Sequence, residues 1–523
     1  MSRAYDDNQT LQQKIIKGAN VLADNVASTL GPKGRNVLLK EKDKQPFITK
    51  DGVTVAAFVA LEDPFENAGA QILRQAAIET NNEAGDGTTT STVLARAILR
   101  ESQRFIASGV SPIELQRGID LSVREVVANL RKLAQPVKSI SEVENVATIS
   151  ANNDSSIGSL IATAVDKVGQ DGSITIEESR SLDTTLDLAE GFKIDAGFCA
   201  SAFITDERRS MMHHEDPLFL VTDHKISAVE QILPVLELIA RENRPLVIVA
   251  EDIEGQALAA LIMNAMRGTL KIAAIKAPRY GEERRNMLSD LAISTGATYI
   301  TRESGLKLPE VQMIHLGTAK FVESNKYSTT IVGGACDPEV VNERIESLKQ
   351  SIKDTKALSE CDRIQERIVR LSSGVAVIRV GGSTEVEMTE KKHRIEDALE
   401  AVRSAQDEGI IVGGGVALTL AAQKIAITTD NNDQAYGASV VKIACQEPLR
   451  QMALNANESP DIIIEKVLAS SKNYGWNFRT SELVNLFNSG VVDPVKVTRT
   501  ALQNAASCAG TLITTNYGII QTE

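Results

Sequence analysis

The run Gly85-Asp86-Gly87-Thr88-Thr89-Thr90 sets one carboxylate, two glycines and three hydroxyls ahead of an apolar, helix-like stretch from Val93 to Leu99. A helix beginning there offers unpaired N–H groups and a partial positive charge to an anion. Glycine allows close backbone approach, and a carboxylate can hold a hard cation beside phosphate oxygens. The chemistry that fits is metal–nucleotide binding. Alone, the hexapeptide reads better as turn and N-cap chemistry. Four further segments join it. Thr29-Leu30-Gly31-Pro32-Lys33-Gly34-Arg35-Asn36 is rich in turn residues, and Thr49-Lys50-Asp51-Gly52-Val53 adds an ammonium and a carboxylate. Asp397 lies in a charged helical run, and Gly413-Gly414-Gly415 forms a second close-approach turn. No GxxxxGK[ST] occurs, which excludes a P-loop NTPase.

These residues need a scaffold, and periodicity outlines one. Apolar residues at three- and four-residue spacing predict helices from Leu11 to Thr29, Asn67 to Ala84, Thr89 to Ser108 and Pro112 to Leu133. Between the first two, VLL, FIT and VTV around the charged turn EKDKQ predict a hairpin over Val37 to Val55. From about Asp171 short apolar runs alternate with helices: Ser173–Glu177, Leu218–Val221, Leu246–Ala250, Lys271–Ile275 and Thr298–Ile300. Continuous apolar strands of this kind belong to a buried α/β sheet. Helices return over Glu339 to Leu371, then comes a strand at Val375–Val380, a long charged helix from Glu385 to about Asp407, and a helical remainder. The matching ends predict one helical domain built from both termini, with an α/β domain inserted. Gly191 and Gly374 would flank the insertion, and Pro136 and Gly409 the connectors.

At 523 residues the chain has room for about three domains. Its 43% hydrophobic content supports more than one core and excludes intrinsic disorder. A formal charge of −13 opposes broad contact with nucleic acid. Five cysteines without a CxxC pair suit a reducing compartment. The first ten residues carry no secretory h-region, and no run approaches the ~20 apolar residues that span a bilayer. The expectation is a cytoplasmic protein with no membrane partner.

The segments TLGPKGRNV, ITKDGVTVA, EDPFENAGAQ, AGDGTTT, ATISAN, KAPRYG, GGVAVIRVG, TEVEMTEKKHRIEDAL, EGIIVGGGVAL and DPVKVTRTALQNAAS, in one order, resemble the group I chaperonins, the GroEL-like ring ATPases. The resemblance runs from about residue 5 to residue 516. It implies a multi-domain α and α/β fold. A helical equatorial ATPase domain (1–132 and 408–523) joins a small hinge-like intermediate domain (133–189 and 376–407) and an inserted α/β apical domain (190–375). It implies ATP, Mg²⁺ and K⁺ as cofactors. Thr29, Leu30, Gly31, Pro32, Asp86, Gly87, Thr88, Thr89 and Thr90 would surround the phosphates, with Asp86 on Mg²⁺ and Lys50 nearby, where relatives hold potassium. Ile149, Gly413, Gly414, Asn477, Phe478, Arg479 and Asp493 complete the nucleotide set. Asp397 would deprotonate the attacking water, assisted by Asp51.

The same resemblance implies a use for two amphipathic segments. One carries Ile232, Leu233, Leu236 and Ile239. The other, Glu254 to Arg267, is apolar on more than one face. Such stripes are ordinarily core. In the resembling family, positions matching Phe198, Ala202, Phe203, Leu233, Leu236, Leu258, Ile262 and Met263 line a groove for non-native clients and for a GroES-type co-chaperonin. The implied assembly is a homo-oligomer of heptameric rings, stacked in pairs, that folds clients in a closed chamber. A ring-forming holdase or scaffold with weak ATP coupling is the alternative. Departures from the family pattern include Ser201 and Ala202 in the groove, Ala196 in place of an intersubunit arginine, and Ser459 in place of an acid that meets the arginine matching Arg450. Trp476, Phe478 and Arg479 are unusual near the base.

Overall fold

The computed structural model describes residues 2–41, 46–169, 173–179, 181–354, 358–372 and 374–522. The expected EKDKQ turn falls largely on residues 42–45, outside the described residues. The chain forms two compact units. One comprises Met1–Thr163, Arg180–Asp183 and Val380–Glu523; the other comprises Ala164–Ser179 and Thr184–Arg379.

The first unit is a helical assembly around one core. Helix Pro112–Leu133 shows how its sequence dictates it. Pro112 stands in the first turn, where its missing N–H costs nothing, and Leu115, Ile119, Val123, Val126 and Leu130 follow at spacings of three and four. Arg131 and Lys132 then sit in the last turn, complementing the helix dipole. That apolar stripe packs with Asn432–Ala444 and Val495–Ile513, while Asn8–Ala27, Pro64–Ala84 and Thr88–Ala107 pack on one another. Leu22, Leu73, Leu94, Ile98, Leu115 and Ile119 are fully buried, each worth roughly 1.5–3 kcal/mol of burial. The cysteines Cys199, Cys336, Cys361, Cys445 and Cys508 are free thiols.

The hairpin forms as strands Val37–Leu39 and Phe47–Thr49, paired from Val37↔Thr49 to Leu39↔Phe47. Its expected third β segment does not. Val53-Thr54-Val55 lies in helix Gly52–Phe58, because the Asp51 carboxylate accepts the N–H groups of Val53 and Thr54 and so caps a helix there. A cap outweighs the β preference of three residues. The helical remainder likewise contains unforeseen strands. Ile410–Val412 pairs with Val492–Pro494, Tyr474–Asn477 with Glu482–Asn485, and Ser2–Asp7 with Tyr517–Thr522, all antiparallel.

The second unit holds two sheets. In the four-stranded one, Ile272–Lys276, Leu246–Ala250 and Leu218–Val221 run parallel, and Gly317–Thr318 is antiparallel at the edge. Helices Leu233–Glu242 and Gly255–Met266 make the crossovers, as the alternation predicted. Of the expected strand Thr298–Ile300, only Ile300 bridges, to Thr222. The six-stranded sheet runs in the order Ser173–Glu178, Gly374–Val380, Thr185–Ile194, Thr329–Val332, Phe321–Ser324, Met212–Glu215. Gly191, expected at a flank, lies inside the strand Thr185–Ile194 opposite Val332. Among the described residues no helix is long and apolar enough to cross a membrane.

One contact in the first unit sets how closely its helices cross. A Cβ on Gly118 would stand 2.0 Å from the Gln434 carbonyl oxygen, and one on Gly437 would stand 2.3 Å from the Gly118 carbonyl carbon. Gly118→Val therefore forces two helix backbones apart. It is expected to cost about 1–3 kcal/mol, read as a lowered urea midpoint.

Candidate functional site

Helix Pro64–Ala84 ends on Gly85 in the left-handed region, at φ +71°. Two residues later Gly87 (φ +90°) starts helix Thr88–Ala107 without any side-chain cap. The first turn, Thr88–Thr90, thus borders a cavity of about 270 Å³ with its amides uncommitted to a capping oxygen. Asp86, between the glycines, accepts from the Ser150 hydroxyl at 2.7 Å and from the Gly87 N–H. Burial pushes its carboxyl up, those two hydrogen bonds pull it down, and the Asp51 charge raises it again.

Other elements bring their groups to the same cavity. The loop Thr29–Pro32 follows helix Asn8–Ala27, and the Thr29 and Thr89 hydroxyls stand 3.4 Å apart. Lys50 donates to the Gly31 carbonyl at 3.1 Å. Its pKa is lowered by burial and by Arg394, while Glu390 raises it. Asp493, on the strand Val492–Pro494, is pushed up to about 7 by burial and by Asp86, against the Gly414 N–H that lowers it. Asp397 arrives on helix Glu385–Glu408, whose next turns bury Ala398, Leu399, Ala401, Val402 and Ala405. That helix is held on the Gly85 loop. The Ser404 hydroxyl donates to the Ala84 carbonyl at 2.9 Å, and Glu400 covers Gly85. At the helix end, Glu408 accepts from Arg499 at 2.7 Å.

The cavity gathers Thr29, Leu30, Gly31, Pro32, Lys50, Asp51, Asp86, Gly87, Thr88, Thr89, Thr90, Ile149, Asp397, Gly414, Asn477, Phe478, Arg479 and Asp493. Gly413 stands just behind it, where a Cβ would meet the Asp493 Oδ1 at 2.9 Å. The sequence reading did not select Ser150, Glu390, His393 or Arg394, which also line the wall. A signal for three of them existed: Glu390, His393 and Arg394 precede Asp397 by seven, four and three residues, hence share its helix face. At the far end Trp476 donates its indole N–H to Glu458 at 2.6 Å and lies under Lys466. Phe478 is buried, and Arg479 is exposed at the rim.

This donor set fits a magnesium–triphosphate better than a metal alone. Among the described residues no three His, Cys, Asp or Glu side chains are grouped to hold an ion. Asp86 supplies one hard oxygen. The remaining ligands of Mg²⁺ would come from phosphate and water, its usual habit.

In the second unit the expected groove residues fall into three sets. Leu233 and Met263 are exposed, at 45% and 47%, beside Met266 at 72%. Phe198, Leu258 and Ile262 are half-buried against the core. Phe203 and Leu236 are core side chains, which corrects their expected place on an open surface. Leu236 shares the inward stripe of its helix with Val235 and Ile239, so it cannot also face outward.

Residues 22–523 match the model of the TCP-1/cpn60 chaperonin family. A crystal structure of the chaperonin gp146 from the bacteriophage EL 2 (Pseudomonas aeruginosa), in presence of ATP-BeFx, is similar over 99% of both chains, with a TM-score of 0.65 and 21% identity.

Two outcomes follow from the geometry. A Cβ on Gly85 would meet the Glu400 Cβ at 2.1 Å, at a φ that side chains resist. Gly85→Ala should therefore loosen the Glu385–Glu408 helix, seen as faster hydrogen exchange of residues 395–405 and a loss of about 1–3 kcal/mol in stability. Asp493 keeps a proton in the folded state to about pH 7, whereas the unfolded chain releases it near the ordinary carboxylate value. Its contribution to stability, without nucleotide, must fall as pH rises between those limits. Asp493→Asn should flatten that slope in urea midpoints taken across the range.

Proposed function

The chain belongs to the TCP-1/cpn60 chaperonin family, and we propose that it is an ATP-hydrolysing chaperonin subunit that captures and releases non-native proteins. The observation that carries this reading is the convergence of Asp51, Asp86, Asp397 and the uncapped Thr88–Thr90 turn on one cavity. The similar phage chaperonin was crystallised with ATP-BeFx, a nucleotide analogue of the class proposed for this pocket.

Phosphoryl transfer asks for charge neutralisation and a placed water rather than a covalent intermediate. Asp86 would hold Mg²⁺, which neutralises phosphate charge when bound. The Thr88–Thr90 turn and the Thr29–Pro32 loop would receive the phosphate oxygens, with K⁺ near Lys50. Ile149, Gly413, Gly414, Asn477, Phe478, Arg479 and Asp493 would enclose the base and ribose. Asp397 would take the proton of the attacking water. Asp51, fixed by its cap bonds to Val53 and Thr54, would assist from the opposite wall.

We assign residues 1–132 and 408–523 to an equatorial domain, 133–189 and 376–407 to an intermediate domain, and 190–375 to an apical domain. Leu233 and Met263, with Phe198, Leu258 and Ile262 behind them, would contact clients and a GroES-type loop; Phe203 and Leu236 support that surface from below. Apolar contact suits unrelated clients because it is non-directional, at ~25 cal/mol per Å².

Ring assembly has support in the first unit. Two separate two-stranded sheets expose facing apolar pairs: Tyr5 opposite Ile519, and Leu38 opposite Ile48. Two strands alone are marginal in water, and pairing with a neighbouring copy would complete them. We propose heptameric rings stacked in pairs in the cytoplasm. Arg450, the arginine matched to an inter-ring contact, is bound at 2.7 Å by Asp461 of its own chain.

Side and top views of the purified particle by electron microscopy test the rings. ATP turnover with and without an unfolded client, followed by refolding yield, separates a foldase from a holdase. Asp397→Ala is expected to keep ATP binding and slow hydrolysis by ~10²–10⁴. Unchanged turnover in that variant removes Asp397 from the mechanism.

A further inference from the structure

We propose that His393 positions the Asp397 carboxylate and that its protonation sets the acid limb of ATP turnover. The inference rests on the reading of Asp397 as the group that takes the proton of the attacking water.

His393 and Asp397 are four residues apart on helix Glu385–Glu408, which stacks them on one face within about 5–6 Å between Cβ atoms. Both are half-buried, and both line the nucleotide cavity. Among the described lining residues His393 is the one histidine. Three cations, Lys50, Arg394 and Arg479, line the same cavity. Arg394 pairs with Glu390 on its own helix and stands 3.5 Å from Asp154. Lys50 donates to the Gly31 carbonyl. The other ionisable groups around the cavity are Glu390 on the same helix, Asp51, Asp86 and Asp493 on the elements opposite, and Arg479 at the rim. Ser150, Asn152 and Asn153, from the end of the Ile140–Ser150 helix and the loop after it, are neutral. Asp397 thus shares the cavity with four other carboxylates and has an imidazole one turn away on its own helix.

A neutral imidazole can donate one N–H to a carboxylate oxygen and leave the second oxygen for water. In the reaction, the water oxygen bonds to the γ-phosphorus, its proton passes to Asp397, and the bond to the β–γ bridging oxygen breaks to release ADP. His393 gains and loses nothing in that step. Once protonated, however, imidazolium pairs with the carboxylate and weakens it as a base. Turnover should then fall as pH drops and the imidazole takes up its proton.

The experiment is steady-state ATP turnover of the assembled full-length protein from about pH 5.5 to about pH 8.5, with His393→Gln, His393→Ala and Asp397→Ala beside the wild type. Gln keeps a donor but cannot titrate. Expected is a wild-type kcat that declines about tenfold toward the acid end of that range, and a His393→Gln profile without that limb whose kcat at high pH stays within about threefold of wild type. His393→Ala should lower kcat about tenfold at every pH while KM for ATP moves less than about twofold. A His393→Gln profile that superimposes on the wild-type limb overturns the proposal, as does full activity of His393→Ala. If Asp397→Ala itself retains turnover, the parent reading of Asp397 fails instead, so the two failures are distinguishable.

Discussion

Five carboxylates lining one partly buried cavity against three cations, Lys50, Arg394 and Arg479, is the constraint on which the rest of the first unit depends. Two like charges about 4 Å apart cost roughly 4 kcal/mol even at an effective dielectric constant near 20. The strain is visible at Asp493, whose carboxyl is driven up to about 7 by burial and by Asp86. Lys50 cannot relieve it fully, since burial also weakens its own hold on a proton. In the function proposed, a cation carrying its own polyanion would complete such a cavity. The uncapped start of the Thr88–Ala107 helix provides the anion-binding half of that exchange.

Holding these acids in place requires rigid supports, and the helical core supplies them. Asp51 is fixed by the helix that it caps, and Asp86 by Ser150 and by the turn between two glycines. Asp493 sits on a strand paired to Ile410–Val412. Asp397 is carried by a helix that packs through Ile395, Ala398, Leu399, Ala401, Val402 and Ala405 and is seated on the Gly85 loop by one hydroxyl–carbonyl bond and one glycine-permitted approach.

The apolar residues of the second unit divide by their position in the helices, Leu233 standing at the first residue of its helix, rather than by residue type. Leu233 and Leu236 are identical in chemistry and three residues apart, yet one is exposed and the other lies in the core. In the Gly255–Met266 helix, Ala257 and Leu261 are buried, whereas Met263 and Met266 reach solvent. Methionine's flexible thioether suits a surface that must adapt to unlike partners.

By itself the sequence determined the local elements: the helix over Pro112–Leu133 to the residue, the parallel strands Leu218–Val221 and Leu246–Ala250, and the glycine–threonine turn ahead of a helix. Periodicity and capping act over a few residues, so they are legible without a fold. The family resemblance then named eighteen of the residues that line the cavity. Tertiary structure alone decided two things. It joined Ser2–Asp7 to Tyr517–Thr522, and it drew Phe203 and Leu236 inward. Pairing across hundreds of residues and the choice of an inward helix face depend on what packs opposite, and no window of local sequence contains that partner.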